Sequence, residues 1–329
     1  MGTINRVAGH ERPRGILLGS LKKGRVATTY LFSGESGVGK KLMAVEFAKA
    51  VVCQSPVEVE NFTDACDNCI LCRKFSASLH PDLKIVLPEK GMIKIEQVRE
   101  VIDFLSLKPF EASKKVVIID DADCMNLPAS NALLKTLEEP PDECLIILIS
   151  SVPDMIIDTI RSRCFTIRFS LLNMSDCERV IREKIQDKSE DALKELIRLS
   201  MGRPGVVLRE DALLLTQQAE DIICSLTDGG ESIKWRDRFE MEDWLNRFLL
   251  ILRDLMVVKI DGKGDTPLIH PFLRVKLVDI SKRISIQDII KLYRECAGIV
   301  GALRLNLNVS VVLNYVSFLI KECYGSNVR

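Results

Sequence analysis

The sequence predicts an α/β phosphate-loop domain with a parallel sheet and an inserted cysteine module, followed by a small helical domain and an all-helical domain. Three observations support this prediction. A glycine-rich loop at residues 34–41 lies between an apolar strand and a helix, and four clustered cysteines follow it. Strand-like and helix-like segments alternate up to about residue 170, after which only helical periodicity is found. Alternation of this kind is typical of a parallel sheet covered by helices on both faces.

The individual elements follow from the spacing of apolar residues and from the residues that end each run. Strands are predicted at residues 28–32, 81–87, 115–120, 144–150 and 164–169. Helices are predicted at residues 14–24, 40–52, 95–107, 127–138, 175–186 and 189–201, with further helices beyond residue 206. We therefore predict an α/β domain at 1–169 with its cysteine module at about 53–79, a small helical domain at 170–207, and an all-helical domain at 208–329.

Length and composition are those of an ordinary multidomain globular protein, with 329 residues of which 47% are hydrophobic. The 46 Lys and Arg residues equal the 46 Asp and Glu residues, so no global field attracts nucleic acid. No apolar run approaches the ~18 residues of a membrane span, so no membrane partner is expected. We expect a cytoplasmic, reducing location, which suits unpaired cysteines such as Cys124 and Cys164.

Four cysteines, Cys53, Cys66, Cys69 and Cys72, form a C-x12-C-x2-C-x2-C pattern. Four thiolates in so short a stretch can surround one Zn²⁺ tetrahedrally, and the C-x2-C steps let one turn supply neighbouring ligands. The alternative is a set of unrelated buried thiols, whereas a disulfide framework is disfavoured because nothing in the chain indicates secretion. We predict one structural zinc ion held by these four residues.

A phosphate loop is predicted because Gly34, Gly39 and Lys40 satisfy the G-x4-G-K pattern, with Gly37 as a further glycine inside it. Glycines let backbone N–H groups point at phosphate oxygens, and the lysine neutralises the β and γ oxygens. The next position normally carries a Ser or Thr hydroxyl that holds Mg²⁺, but here it is Lys41. Because the metal loses that ligand, we expect binding of ATP and Mg²⁺ to be weak or absent.

Two acidic residues stand at the end of the predicted strand 115–120. Asp120 is placed to hold Mg²⁺ through water, and Asp121 stands where phosphate-loop ATPases usually have a glutamate that orients the attacking water. Aspartate is one methylene shorter, and a misplacement of about 1 Å can cost about 100-fold in rate. Lys41 and Asp121 together predict a site degraded as a catalyst.

Several motifs occur in a fixed order along the chain: Leu31-Phe32, the phosphate loop, the cysteine module, His80-Pro-Asp-Leu83, Lys115-Val-Val-Ile-Ile-Asp-Asp-Ala-Asp123, Asn131-Ala-Leu-Leu-Lys-Thr-Leu-Glu-Glu-Pro-Pro141 and Ser162-Arg-Cys164. In this order they resemble the clamp-loader branch of the AAA+ ATPases, and within it the delta-prime subunits of bacterial DNA polymerase III. The resemblance is dense over residues 14–208 and faint at 303–308. It implies that the second domain is a lid and the third an oligomerising collar.

The resemblance also implies roles for single residues. From its spacing alone, Arg163 is an ordinary ion-pair partner beside a strand. The Ser162-Arg163-Cys164 match implies instead an arginine finger that acts in trans at a neighbouring subunit's ATP. Ser151 lies where the family has a sensor of the γ-phosphate, and simple strand termination explains it equally well. Gly205 stands in place of the lid arginine of motor subunits, and Arg203 is expected to face elsewhere.

Three functions compete at this point. The resemblance favours a stator in a heteropentamer with gamma/tau and delta subunits, which opens the sliding clamp and places it on primed DNA. The enzyme alternative is an ATP-hydrolysing, gamma/tau-like motor subunit, against which Lys41, Asp121 and Gly205 argue. A third possibility is a repair ATPase whose zinc module binds DNA, but the acidic residues of that module offset its basic ones.

Overall fold

The computed structural model describes residues 4–59, 62–186, 188–209, 212–261, 266–302 and 307–325. The chain divides into two compact units, one formed by Met1–Gln186 with Ser200–Leu208 and the other by Asp187–Leu199 with Arg209–Arg329. Within the described ranges, no helix has the length and apolar character needed to cross a membrane.

The first unit is built on a five-stranded parallel sheet. Its strands are β1 (Thr29–Ser33), β4 (Leu83–Val86), β5 (Lys115–Ile119), β6 (Cys144–Ser150) and β7 (Phe165–Arg168). Their spatial order is β4-β5-β6-β1-β7, so β1 is an interior strand, and the phosphate loop follows it at the carboxyl edge of the sheet. The predicted α/β fold class is confirmed.

Helices cover both faces of this sheet. They are α1 (Glu11–Lys22), α2 (Lys40–Val52), α4 (Ile95–Ser106), α5 (Leu127–Glu138), α6 (Asp158–Arg161) and α7 (Met174–Lys184), while α9 (Pro204–Arg209) contacts the phosphate loop. Strand β6 shows why its sequence is apolar throughout: Ile147 faces a core cluster shared with α1 and α2, while its neighbour Ile146 faces a second cluster shared with α4 and α5. A strand buried on both faces has no polar alternation.

The cysteine module has secondary structure that the sequence did not reveal. A short antiparallel hairpin of β2 (Val57–Val59) and β3 (Phe62–Asp64) precedes helix α3 (Ile70–Ser76). The module is inserted directly after α2, the helix that starts at the phosphate loop. The cysteine module and the phosphate loop are therefore at opposite ends of one helix.

The described residues of the second unit form helices joined by loops, with no strand among them. It contains α8 (Glu190–Ser200) up to residue 199, α10 (Ala212–Thr227), α11 (Arg238–Ile260), α12 (Arg274–Arg283), α13 (Ile286–Ala302) and α14 (Val309–Gly325). Leu245 and Leu252 of α11 lie fully inside its core. The faint family match at 303–308 falls largely on residues outside the described ranges, and the lid and collar boundaries remain predictions.

Candidate functional site: a closed phosphate loop and an arginine at the opposite sheet edge

The phosphate loop follows β1 and depends on glycine at its first and later positions. A Cβ atom on Gly34 would lie 2.2 Å from the Phe169 carbonyl oxygen, so no side chain fits there. Gly37 and Gly39 have φ angles of 81° and 103°, in the region that L side chains rarely adopt. Gly39 is also the N-cap of α2, so the loop leads directly into a helix N-terminus, as the sequence predicted.

Lys40 turns back onto its own loop. Its Nζ donates hydrogen bonds to the carbonyl oxygens of Gly34 at 2.6 Å and Glu35 at 2.8 Å. Burial lowers the pKa of the Lys40 ammonium, while the carboxylates of Asp121 and Asp120 oppose that shift. The lysine expected to neutralise phosphate is thus satisfied by atoms of this chain.

Lys41 lies against the acidic strand end. Its Nζ is 3.2 Å from an Oδ2 atom of Asp120, which follows β5 at the carboxyl edge of the sheet. In a working phosphate-loop site, Mg²⁺ stands between the helix-start hydroxyl and this aspartate. An ammonium paired with Asp120 places positive charge in that region and repels a divalent cation.

The N-terminus of α9 packs directly on the loop. The Gly205 backbone N–H donates to the Gly37 carbonyl oxygen at 2.8 Å. A Cβ on Gly205 would lie 2.7 Å from that oxygen, and a Cβ on Gly37 would lie 2.8 Å from Val206 Cγ2. This segment therefore closes on the loop at backbone-to-backbone distance, which requires glycine on both sides.

Arg203 differs from the expectation that it faces elsewhere. Its guanidinium Nη1 lies 3.8 Å from Glu35 Oε2, beside the phosphate loop. The expectation assumed a helical position, but α9 begins only at Pro204, so Arg203 precedes the helix and does not follow its spacing.

Asp121 and Ser151 lie at the same carboxyl edge. Asp121, two residues after the end of β5, has a left-handed φ of 49°. The Ser151 N–H donates to Asp123 Oδ1 at 3.2 Å, while the neighbouring Ser150 carbonyl accepts from the Gly34 N–H at 3.2 Å. The structure thus brings the predicted nucleotide-site residues to one edge, and a sensing role for Ser151 remains a prediction.

Arg163 lies at the other edge. Its carbonyl oxygen accepts a hydrogen bond from Thr29 Oγ1 at 2.7 Å, and Thr29 is the first residue of β1. Four residue steps along β1 separate Thr29 from Ser33, or about 13 Å at strand spacing. The guanidinium is directed to Thr159 and Glu138, away from this chain's own loop.

The four predicted metal ligands come together. Their Sγ atoms all lie within 4.8 Å of one another. Cys53 Sγ is 3.5 Å from Cys66 Sγ and 4.0 Å from Cys69 Sγ, and Cys66 Sγ is 4.0 Å from Cys72 Sγ. Tetrahedral zinc with bonds of about 2.3 Å holds its sulfur atoms about 3.8 Å apart. The cluster therefore fits a metal ion such as zinc.

The module also favours thiolate at one ligand. Burial raises the pKa of the Cys69 thiol, but backbone N–H donors of Cys72 and Gln54 outweigh it and bring the pKa to about 6. Burial and the neighbouring Cys69 sulfur raise the pKa of Cys72 instead. A bound cation favours deprotonation of every ligand, because thiolates and not thiols are the metal ligands.

Sequence reasoning missed the supports of this module. Buried Lys49 of α2 places its Nζ 2.6 Å from Asp67 Oδ1 and 2.9 Å from Glu46 Oε2. Asp67, in the turn between Cys66 and Cys69, has a left-handed φ of 61°. A lysine on the apolar side of α2 was the available signal, since a buried ammonium requires an acidic partner.

The comparisons with known proteins agree with this geometry. The family model "DNA polymerase III, delta subunit" matches residues 9–173. The delta-prime subunit of DNA polymerase III from Bacillus subtilis is 30% identical over 260 residues, which cover 75% of this chain and 77% of that protein. The chain belongs to the delta-prime family of bacterial DNA polymerase III.

Other relatives show how far this likeness extends. The delta-prime subunit from Pseudomonas aeruginosa is 34% identical over 199 residues, covering 60% of this chain and 60% of that protein. The tau subunit from Bacillus subtilis is 32% identical over 225 residues, covering 68% of this chain but 35% of tau. The match to delta-prime thus covers a larger share of the relative than the match to tau.

Proposed function

We propose that this delta-prime family member is the stator of a replicative clamp loader. In this role it assembles in the cytoplasm with gamma/tau and delta subunits as a heteropentamer, which opens the sliding clamp and places it on primed DNA. It does not hydrolyse ATP itself and supplies Arg163 to the ATP site of a neighbour. The observation that carries the proposal is the pairing of a self-closed phosphate loop with an arginine at the opposite edge of the same sheet.

The closed loop supports the lack of hydrolysis. The Lys41 ammonium is paired with the Asp120 carboxylate. The Gly205 N–H donates to the Gly37 carbonyl oxygen at 2.8 Å, which holds α9 against the loop. Because the Mg²⁺ of a bound nucleotide would stand beside Asp120, its binding would have to break the ion pair between Lys41 and Asp120.

The location of Arg163 supports action in trans. Its backbone is anchored at the amino end of β1, about 13 Å along the strand from the residue before the loop. The side chain is 32% exposed, so another subunit can reach it. A planar guanidinium fork suits the charge that builds on a phosphoryl group during transfer.

Zinc is the metal we propose for the cysteine cluster. Four sulfur ligands at tetrahedral spacing are typical of structural zinc sites, which leave no open coordination position. The ion would join the end of α2, through Cys53, to the start of α3, through Cys69 and Cys72. Its role here is to hold the insertion folded and not to perform chemistry.

The isolated protein should show negligible ATP hydrolysis and no strong nucleotide binding. Lys41→Thr removes the ion pair but leaves α9 on the loop, so it should not create a motor. Gly205→Arg should displace α9, because even its Cβ would lie 2.7 Å from the Gly37 carbonyl oxygen. Steady-state phosphate release and calorimetric titration with Mg-ATP test both variants. Turnover by the wild-type chain at the rate of an assembled motor would favour the gamma/tau-like alternative.

The C-terminal helices should provide an assembly surface. Val311, Tyr315 and Phe318 share one face of α14, and they are 64%, 41% and 59% exposed. A stripe of large apolar side chains open to solvent is characteristic of an interface. We therefore propose this face as part of the collar.

Replacing Val311 and Phe318 with aspartate should weaken co-assembly with partner subunits by at least about tenfold while the melting temperature stays within a few degrees. Val275→Asp is the matched control, because Val275 lies on α12 of the same unit and is 82% exposed. Analytical size-exclusion chromatography with purified partners measures assembly. Normal assembly of the double variant would remove this face from the collar.

A further inference from the structure

The Arg163 side chain is held in one arrangement by groups of its own chain. Its Nη1 donates to the Thr159 carbonyl oxygen at 2.7 Å, and its Nη2 donates to Glu138 Oε1 at 2.5 Å. Thr159 belongs to α6, and its carbonyl oxygen also accepts a hydrogen bond from Ser162 Oγ at 3.2 Å. Two terminal nitrogens of one planar group are therefore fixed by two different helices.

Glu138 stands where local helix chemistry disfavours it. It is the last residue of α5, and a carboxylate at a helix C-terminus opposes the negative end of the helix dipole. Its side chain is 48% exposed, so burial does not explain its presence. The contact that compensates for this placement is the ion pair with Arg163, from a segment 25 residues away in sequence.

We propose that Glu138 is a positioning residue for Arg163. The Glu138 carboxylate and the Thr159 carbonyl oxygen accept hydrogen bonds from the Arg163 guanidinium. These contacts hold the arginine in one conformation before it meets the phosphate of the neighbouring subunit. This inference rests on the proposed trans role of Arg163. Glu138 itself touches neither nucleotide nor phosphate.

Preordering matters because a free arginine samples many rotamers, and that freedom is lost when the finger docks. Holding the side chain in advance shifts this loss from the reaction step to the folding of the subunit. The effect is on the rate with ATP bound, since the nucleotide is held by the neighbour's own loop. The KM for ATP should therefore stay unchanged while kcat falls.

The test uses the full clamp loader reconstituted from this chain and its partner subunits, with clamp and primed DNA present. Glu138→Ala should lower kcat of the affected site about fivefold without changing KM for ATP, and Glu138→Gln, which keeps an acceptor oxygen, should retain most of the rate. Glu139→Ala is the control, because Glu139 is the next residue, is also exposed and is not the carboxylate bonded to Arg163. Thermal unfolding of each variant checks that the fold is intact.

A double-mutant cycle separates positioning from a general structural role. In an Arg163→Ala loader, adding Glu138→Ala should change nothing further, because there is no finger left to position. Additive losses, or a Glu138→Gln variant as slow as Glu138→Ala, would overturn the positioning role. If Arg163→Ala has no effect at all, the proposed trans function fails instead, and the two failures are distinguishable.

Discussion

Replacing Arg163 with alanine should leave this protein folded and able to assemble, yet reduce ATP hydrolysis at one site of the loader by about 10³-fold or more. The size of the effect follows from what the neighbouring site loses. A fixed guanidinium beside the transferred phosphoryl group stabilises charge that exists only in the transition state. Removing it leaves ATP binding largely intact and slows the chemical step.

The effect on the fold should be small because the lost contacts are peripheral. Arg163 is partly exposed and gives up one ion pair, one carbonyl contact and one long hydrogen bond to Ser162 Oγ. Surface changes of this kind typically stay within about 0.5 kcal/mol. Its backbone hydrogen bond from Thr29 Oγ1 does not depend on the side chain and persists in the variant.

Single-turnover ATPase and clamp-loading assays on the assembled complex measure the defect. Arg161→Ala is a matched control, because Arg161 lies two residues away with a side chain 36% exposed and pairs with Asp154 and Asp158. Arg163→Lys should rescue poorly, since an ammonium cannot reproduce the planar fork. Unchanged hydrolysis and loading in the Arg163→Ala complex would leave this chain as a passive scaffold.

Disrupting the cysteine cluster should have the largest effect on stability. Structural zinc contributes apparent binding free energies of about 10–16 kcal/mol at neutral pH in small zinc domains. Cys69→Ser should therefore lose the metal and unfold the module between β2 and α3. Cys224→Ser provides the control, because Cys224 is exposed and lies outside the cluster.

Metal analysis of the purified protein should give about one zinc per chain, falling to near zero in Cys69→Ser. Hydrogen exchange should then rise in the hairpin, in α3 and at the end of α2, where Lys49 no longer has a fixed Asp67 turn to bind. A fully folded wild-type preparation free of metal would refute the structural zinc site.

The sequence was most informative where one local pattern dominated. Helix α5 begins and ends at the predicted residues because Asn126 caps its start and Pro140-Pro141 follows its end. The β2–β3 hairpin was not predicted because strands of three residues give too little alternation to detect.

Tertiary contacts in the site were not predictable from local pattern. The sequence shows that Lys41 stands in place of the usual Ser or Thr and that Gly205 stands in place of the lid arginine. Their contacts with Asp120 and Gly37 depend on how distant segments of the chain pack together. Arg163 is an ion-pair partner of Glu138 within the chain, as its spacing alone predicted, and its role as a finger for a neighbouring subunit remains a prediction.

The ammonium of Lys41 has a consequence for how this subunit responds to the energy state of the cell. A ligand that binds the folded state raises the free energy of unfolding with the logarithm of its concentration over its dissociation constant. The stability of a nucleotide-binding subunit therefore changes with the ATP and ADP concentrations. Here the cation next to Asp120 is the Lys41 ammonium, which belongs to the chain itself, so its presence does not depend on any ligand concentration. On the proposed function, the melting temperature of this subunit should not change with ATP concentration, and the subunit would offer its partners a surface that bound nucleotide does not alter.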